Sequence, residues 1–438
     1  MRALILALPI IALATAAMAE PEHPELASIA KAVDPEALHA TIAHLVAFGT
    51  RHTLSDTTSP PRGLGAACGG CLEVVTPEQT FTGARIPNPA VVQDVIAIQH
   101  GLTDANRVVI ISGHIDSRVT DPLDATHDAP GANDDGSGTA AVLEAARILS
   151  RHKFHATVVY AVLSGEEQGL YGGQVLAAYA KAQGWRVEAV LNNDIVGNTH
   201  GMDGKTVDDE VRVFSEGVRA AETPAEAAIR RRSGGEMDSA SRNLARFMHG
   251  IAEQYVPGFR VRMILRSDRF SRGGDQLPMQ DAGYPAVRLT EADENYTRQH
   301  QDVRQEGGIA YGDVIEGVDF AYLAKVTRLN AVTLAALALA PAPPEGVKLA
   351  GAVTADTTVS WTPVPGAARY RVWWRETTDA KWNEGQSRTT PDATLKLTGI
   401  NIDDYTFGVS ALSDEGYESP VEFPGPTGAF FHEPAVRP

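Results

Sequence analysis

Five short patches of this chain carry the residue types that bind and use a divalent metal. They are His114 in Ser-Gly-His-Ile-Asp-Ser, Asp134 in Gly-Ala-Asn-Asp-Asp-Gly-Ser-Gly, Glu166-Glu167 in Ser-Gly-Glu-Glu-Gln-Gly-Leu, Asp194 in Asn-Asn-Asp-Ile-Val-Gly-Asn, and His300. Zinc takes imidazole nitrogen and carboxylate oxygen, and two zincs roughly 3.5–4 Å apart need one bridging carboxylate plus about two terminal ligands each. His114, His300, Asp134, Asp194 and one glutamate meet that count. The other glutamate is then free to handle the proton of an activated water.

Each patch also has a plainer reading. Adjacent glutamates often do no more than open a helix, where its dipole favours them. Here they follow an apolar strand and precede a glycine-rich turn, which suits a site better. A calcium loop around Asp134 fails, because Gly131 and Val142 occupy the first and twelfth ligand places. His300 is one of thirteen histidines and is singled out by its polar surroundings after a strand; His127 and His200 compete with it. Asp116 lies two residues past His114, on the same side of an extended chain, and is the candidate carboxylate to orient the ligand ring.

These side chains need a frame. Residues 108–111, 156–163, 187–192, 260–265 and 286–290 read as apolar strands, and 136–152, 170–183, 237–255 and 313–340 as helices. Alternating strands and helices predict a three-layer αβα domain with a mostly parallel mixed sheet, and such sheets gather their sites at strand ends. Residues 200–235 read as a surface helix or insertion, its Arg230-Arg231-Arg232 run solvated. Lys325 and Arg328 argue against a membrane-spanning role for the last helix.

Residues 1–19 have the pattern of a secretory signal, with a basic start, an apolar stretch and Ala17-Met18-Ala19 before Glu20. The expectation is export to the periplasm or the outside, with no transmembrane segment after cleavage. In that setting the only two cysteines, Cys68 and Cys71, are expected to form a small local disulfide, and they are too few for a four-cysteine zinc site. With 55 acidic against 38 basic residues, charge does not favour nucleic acid or anionic lipid as partner. A Pro-rich linker, 341–345, separates the domain at 20–340 from a β-rich segment, 346–438. That segment resembles a fibronectin type III β-sandwich, with Trp361 as its core tryptophan and Tyr405 as its tyrosine-corner candidate. It is a candidate contact for substrate or a cell-surface polymer.

The four motifs from His114 to Asp194, with their spacings, resemble the secreted bacterial dizinc aminopeptidases, relatives of aminopeptidase Y and glutamate carboxypeptidase, over roughly residues 49–340. The resemblance implies peptide substrates and two zinc ions per chain. It implies that Asp134 bridges, that His114 and Asp194 complete one zinc, that Glu167 and His300 complete the other, and that Glu166 is the general base. It also implies a cis peptide between Asp134 and Asp135. The chain departs from the larger members in having no room for an inserted domain before His114. It also has Asp268-Arg269 and Asp275-Gln276 where relatives often show Asp-His. Rival readings are a one-zinc glutaminyl cyclase or a carboxypeptidase of the same fold and, in another class, a non-catalytic binding protein.

Overall fold

The computed structural model describes residues 23–54, 72–382 and 385–424, so the predicted signal segment and the Cys68–Cys71 pair lie outside the described residues. Its centre is an eight-stranded sheet. The strands are β1 (Glu73–Val75), β4 (Val95–Gln99), β5 (Asp104–His114), β6 (Ala156–Leu163), β7 (Arg186–Asn193), β8 (Glu210–Ser215), β9 (Arg260–Ile264) and β10 (Ala286–Glu291). Between β1 and β4 the chain makes a separate hairpin, β2 (Glu78–Gly83) with β3 (Ile86–Gln93). Across the sheet the order is β1-β4-β6-β5-β7-β10-β8-β9. The middle is parallel, β6 with β5, β5 with β7 and β7 with β10, while β4 and β8 join antiparallel to their neighbours β6 and β10.

All eight positions of β6 are buried, as a strand covered on both faces requires. Successive residues serve opposite cores. Val109, Ile111, Val158 and Tyr160 pack with the helices α1 (Pro24–Lys31), α2 (Pro35–Val46) and α3 (Gly136–Leu149) and with the two later helices α7 (Ala240–Tyr255) and α9 (Phe320–Leu339). Val108, Ile110, Val159 and Ala161 face the other way, toward α5 (Tyr171–Ala182) and α8 (Gln276–Asp281). This is the predicted three-layer αβα arrangement. Among the described residues α9 is the one helix long and apolar enough to cross a membrane, and 89% of its apolar window is buried inside the domain. Its Asn330 donates to Asn193 Oδ1 (2.6 Å) at the end of β7.

The structure corrects three boundaries. α9 starts at Phe320 rather than near Asp313, because Asp319 caps it by accepting from the Tyr322 N–H and a single turn, Ile315–Gly317, precedes it. That frees Asp313 for the site. The stretch 200–235 contains a surface helix, α6 (Pro224–Ser233), but also β8, which pairs with both β10 and β9 inside the sheet. In Glu-Val-Arg-Val-Phe-Ser the flanking charges masked a buried strand: Val211, Val213 and Phe214 are all core residues. The third helix ends at Leu149, three residues short of His152.

After a small hairpin, β11 (Arg304–Glu306) with β12 (Ile309–Tyr311), and the proline-rich segment that follows α9, the chain forms two three-stranded antiparallel sheets. One is β13 (Lys348–Ala350), β14 (Thr357–Ser360) and β17 (Thr394–Leu397); the other is β16 (Gln386–Thr390), β15 (Arg369–Glu376) and β18 (Tyr405–Leu412). Trp361 sits in their shared core, edge-on to Tyr370 at 5.1 Å. The tyrosine hydroxyl that accepts a backbone hydrogen bond there is that of Tyr370, from the Val364 N–H (2.7 Å), in place of the expected Tyr405. Tyr405 lies in β18 beside Phe407.

Candidate active site

The predicted residues gather at one sheet edge. β5 ends at His114, β6 ends three residues before Glu166, and β7 ends one residue before Asp194. Since β5 and β6 are parallel, with His114 opposite Leu163, the histidine and the glutamate pair leave the sheet at the same level. Asp134 arrives from the loop that enters α3. His300 follows β10, with a left-handed backbone (φ 51°).

One buried carboxylate ties these loops together. Asp135 Oδ2 accepts from the His114 N–H (2.9 Å), and Oδ1 accepts from the N–H groups of Gly138 (2.9 Å) and Ile195 (3.3 Å). It thereby caps α3 and joins the ends of β5 and β7. Gly138 must be glycine at this junction, because a Cβ there would collide with the Asn193 carbonyl and the Asp135 carboxylate. The Asp134–Asp135 peptide is cis. Behind the loop, Asp313 accepts from the N–H groups of Asn133 (2.9 Å) and Asp134 (2.6 Å). Arg51 spans the same turn, donating to the carbonyls of Ile115 (2.7 Å), Pro130 (2.6 Å) and Gly131 (2.8 Å).

The donor atoms form two groups. His114, Glu166 and Asp194 offer atoms all within 4.8 Å of one another, and so do Asp134, Glu167 and His300. Asp134 spans both, with Oδ1 3.4 Å from His114 Nε2 and Oδ2 3.0 Å from His300 Nε2. Glu167 Oε1 lies 3.1 Å from His300 Nε2, while Asp194 Oδ1 and Glu166 Oε2 lie 3.9 and 4.0 Å from His114 Nε2. His114 Nε2 and Glu167 Oε1 are buried, and although they face Asp134 (3.4 Å) and the His300 ring (3.1 Å), neither makes a well-formed hydrogen bond. A polar atom in that state costs free energy unless something else satisfies it, and this donor chemistry fits zinc.

Electrostatics make the same point. Burial opposes a charge on His114, yet Glu166, Asp116, Asp134 and Asp194 together raise its pKa. His300 is pushed up to about 10, burial being outweighed by Glu167 and Asp134. Burial raises the pKa of Glu166 against the pull of His114, with Asp194 and Glu167 adding to the rise. Asp194 goes the other way: burial would raise its pKa, but Arg288, whose Nη2 is 2.7 Å from Oδ2, and then His114 bring it down. The cage as a whole calls for positive charge.

Asp116 departs from the expectation in its details. His114 Nδ1 lies 3.0 Å from the Asp116 carbonyl oxygen and 3.5 Å from its Oδ1, so the main chain is the nearer partner of the ring. The carboxylate accepts from the N–H groups of Glu166 (3.3 Å) and Glu167 (3.1 Å) and from the Thr53 hydroxyl (3.1 Å). It therefore fixes the glutamate pair, which enters a four-residue helix, α4 (Glu166–Gly169), through the left-handed Gly165 (φ 71°). The competing histidines lie apart from the ligand groups: His127 is exposed and paired with Asp124, and His200 sits on an exposed turn beside Thr199.

Three arginines escaped the sequence reading. Arg118 donates through Nε to Glu167 Oε2 (2.8 Å), and its Nη2 lies 2.6 Å from His300 Nδ1. The other ring nitrogen, Nε2, faces Asp134 (3.0 Å) and Glu167 (3.1 Å). Arg288, wholly buried on β10, holds Asp194. Its signal was visible as a lone charge in the apolar run Ala-Val-Arg-Leu-Thr. Arg51 and Arg118 carried no such local mark.

Paired imidazole and carboxylate groups at the strand ends of an αβα sheet are the equipment of a metal-dependent hydrolase. Residues 94–307 match the model of Peptidase family M28. A probable zinc metalloprotease of Pyrenophora tritici-repentis is 40% identical over 427 residues, covering 93% of this chain and 88% of its own length. Another from Leptosphaeria maculans is 40% identical over 423 residues, covering 92% and 97%. The chain belongs to peptidase family M28 and is a zinc-dependent metallopeptidase. Among solved structures, the LapA aminopeptidase of Legionella pneumophila matches 72% of this chain and 75% of its own with a TM-score of 0.51; at 17% identity that likeness is one of fold.

Proposed function

We propose that this chain is an exported two-zinc exopeptidase that removes residues from the amino terminus of peptides. The carrying observation is the position of Asp134, whose two oxygens face His114 on one side and His300 on the other. In this reading His114, Asp134 and Asp194 hold one ion, and Asp134, Glu167 and His300 hold the second. Zinc, when bound, supplies Lewis acidity toward a substrate carbonyl and a water.

The protein's own groups do the rest. Glu166 is not a ligand in this scheme; its Oε2 lies 4.0 Å from His114 Nε2 and its residue lines the cavity. It takes the proton of the attacking water and returns it to the leaving amine. Asp116 keeps that carboxylate aimed by accepting from the Glu166 N–H, and Arg118 steadies Glu167. The substrate's amino group is held against the acidic floor formed by Asp134, Glu166 and Asp194. The family supplies the peptide as substrate, and the fold likeness to an aminopeptidase supports the choice of the amino end. The C-terminal module is read as a fibronectin type III-like accessory domain.

Glu166→Gln tests the assignment. Zinc content measured by atomic emission should stay at two per chain, while kcat on aminoacyl anilides falls roughly 10²–10⁴-fold. Unchanged turnover removes Glu166 from the mechanism. One zinc per chain in the fully active protein favours the cyclase reading instead.

A further inference from the structure

The cavity in front of the ligands, about 570 Å³, is acidic on its floor and basic on its walls. All its lining carboxylates, Asp134, Glu166, Glu167 and Asp194, already belong to the ligand-and-base set, and its remaining charged wall residues are Arg85, Arg118, Arg269 and Arg272. Among the described residues no further acidic side chain lines it to receive a cationic substrate. Its apolar lining includes Ala84, Leu170, Ile195 and Tyr171.

The wall arginines share their carboxylate partners, and Arg272 also donates to Gln299 Oε1 (3.0 Å). Arg269 and Arg272 share the carboxylate of Glu294 with Arg212, at 3.3, 2.5 and 2.7 Å. Asp268 is likewise divided between Arg269 (3.2 Å) and Arg288 (3.4 Å). Arg288 leans on Asp194, and Arg118 on Glu167, both carboxylates whose charge the metals would claim. Arg85 is exposed and donates to the Glu167 carbonyl (2.7 Å). Of the two arginines on the 268–274 loop, Arg272 has the more open side chain, 32% exposed against 9% for Arg269. So basic a wall is out of character for a chain with 55 acidic and 38 basic residues.

Resting on the proposed reading of the site, we infer that this wall selects substrates with a carboxylate next to the scissile bond, Arg272 being a specificity-determining contact. A guanidinium fork matches a carboxylate in shape and charge, and here it does so in a pocket partly shielded from water. The carboxylate has two possible sources: an aspartyl or glutamyl side chain at the amino terminus, or the free carboxy terminus of a short peptide.

Two substrate pairs separate the sources. Glutamyl and aspartyl anilides are compared with the leucyl anilide, and leucyl-leucine, whose carboxy terminus is free, is compared with leucyl-leucinamide. The expected result is a kcat/KM preference of roughly 10- to 100-fold for the carboxylate-bearing member of one pair. That preference should shrink in high salt, fall in Arg272→Met and return in part in Arg272→Lys. Equal or greater activity on both neutral members overturns the inference while leaving the peptidase reading intact, as does a preference untouched by Arg272→Met. If the zinc-loaded protein cleaves none of these, calorimetry with L-glutamate and L-leucine decides. Tighter glutamate binding that is lost in Arg272→Met upholds the carboxylate pocket and drops the peptidase reading; equal binding overturns the inference.

Discussion

Two buried polar networks in this molecule solve their charges differently. At the contact between the main domain and the C-terminal module, Asp238 Oδ1 accepts from Arg246 (3.0 Å) and Arg375 (2.6 Å). Arg246 spends its other donors on Asn243 Oδ1 (2.8 Å), the Met237 carbonyl (2.8 Å) and the Ala380 carbonyl (2.7 Å). Trp382 donates to Asn243 Oδ1 (3.0 Å) and offers its ring to Arg375, 4.5 Å from the centroid. The anion there is fully matched by cations. At the sheet edge four carboxylates crowd two imidazoles, with Asp134 facing both rings. Where guanidinium groups outnumber the carboxylate, the pairing serves the contact itself; where carboxylates outnumber the imidazoles, like charges face each other and make room for a cation.

The sharpest way to break that contrast is to exchange the roles of the two aspartates. Asp134→Ala removes the one carboxylate that, among the described residues, faces both histidines. Zinc content should fall toward zero and aminoacyl-anilide turnover should drop to background, while the far-ultraviolet circular dichroism of the protein is retained. An Asp134→Ala protein that still holds two zincs would mean that Asp134 does not bridge. Asp238→Ala should do the reverse, leaving zinc content alone and costing about 3–5 kcal/mol of stability by stranding two buried guanidinium groups. Denaturant unfolding checks this, and a loss of zinc without a loss of stability would show that the Asp238 pairing does not serve the contact.

What the sequence made legible follows the same division. The ligand patches were readable because each is a polar interruption at the end of an apolar run, and the three-layer fold because β6 and α3 carry strong local patterns. Contacts that close loops over long separations were not readable. Arg51 reaches Pro130 and Gly131, and Asp313 reaches Asn133 and Asp134; nothing near either residue in the chain announces its partner. The apolar periodicity of α9 runs backward into the approach of Asp313 and reads there as helix, whereas its carboxylate braces the loop of Asp134. Asp116 shows a finer limit. Its position beside His114 was correct, but sequence spacing alone cannot distinguish a carboxylate from the carbonyl of the same residue as the nearer partner.

Glu294 stands between the two networks and sharpens the comparison most finely. It is buried beside the site, yet it is paired like Asp238, its oxygens receiving Arg212, Arg269 and Arg272. Burial would raise its pKa, but those three arginines, Arg269 foremost, hold it down at about 2. An unfolded glutamate titrates near 4.3, so the folded form binds its proton less readily. The ion pairs therefore add stability that is fully present above about pH 4.3 and is lost as pH falls toward 2; the shift corresponds to something on the order of 2–3 kcal/mol. Glu294→Gln, compared with the parent after zinc is removed by chelation so that metal release does not add its own pH dependence, should lower Tm most at neutral pH. The gap should narrow between pH 4.5 and pH 2.5, where the parent's carboxylate takes up its proton. A gap that stays constant over that range would mean that Glu294 acts by packing and hydrogen bonding alone, and would place it with neither network.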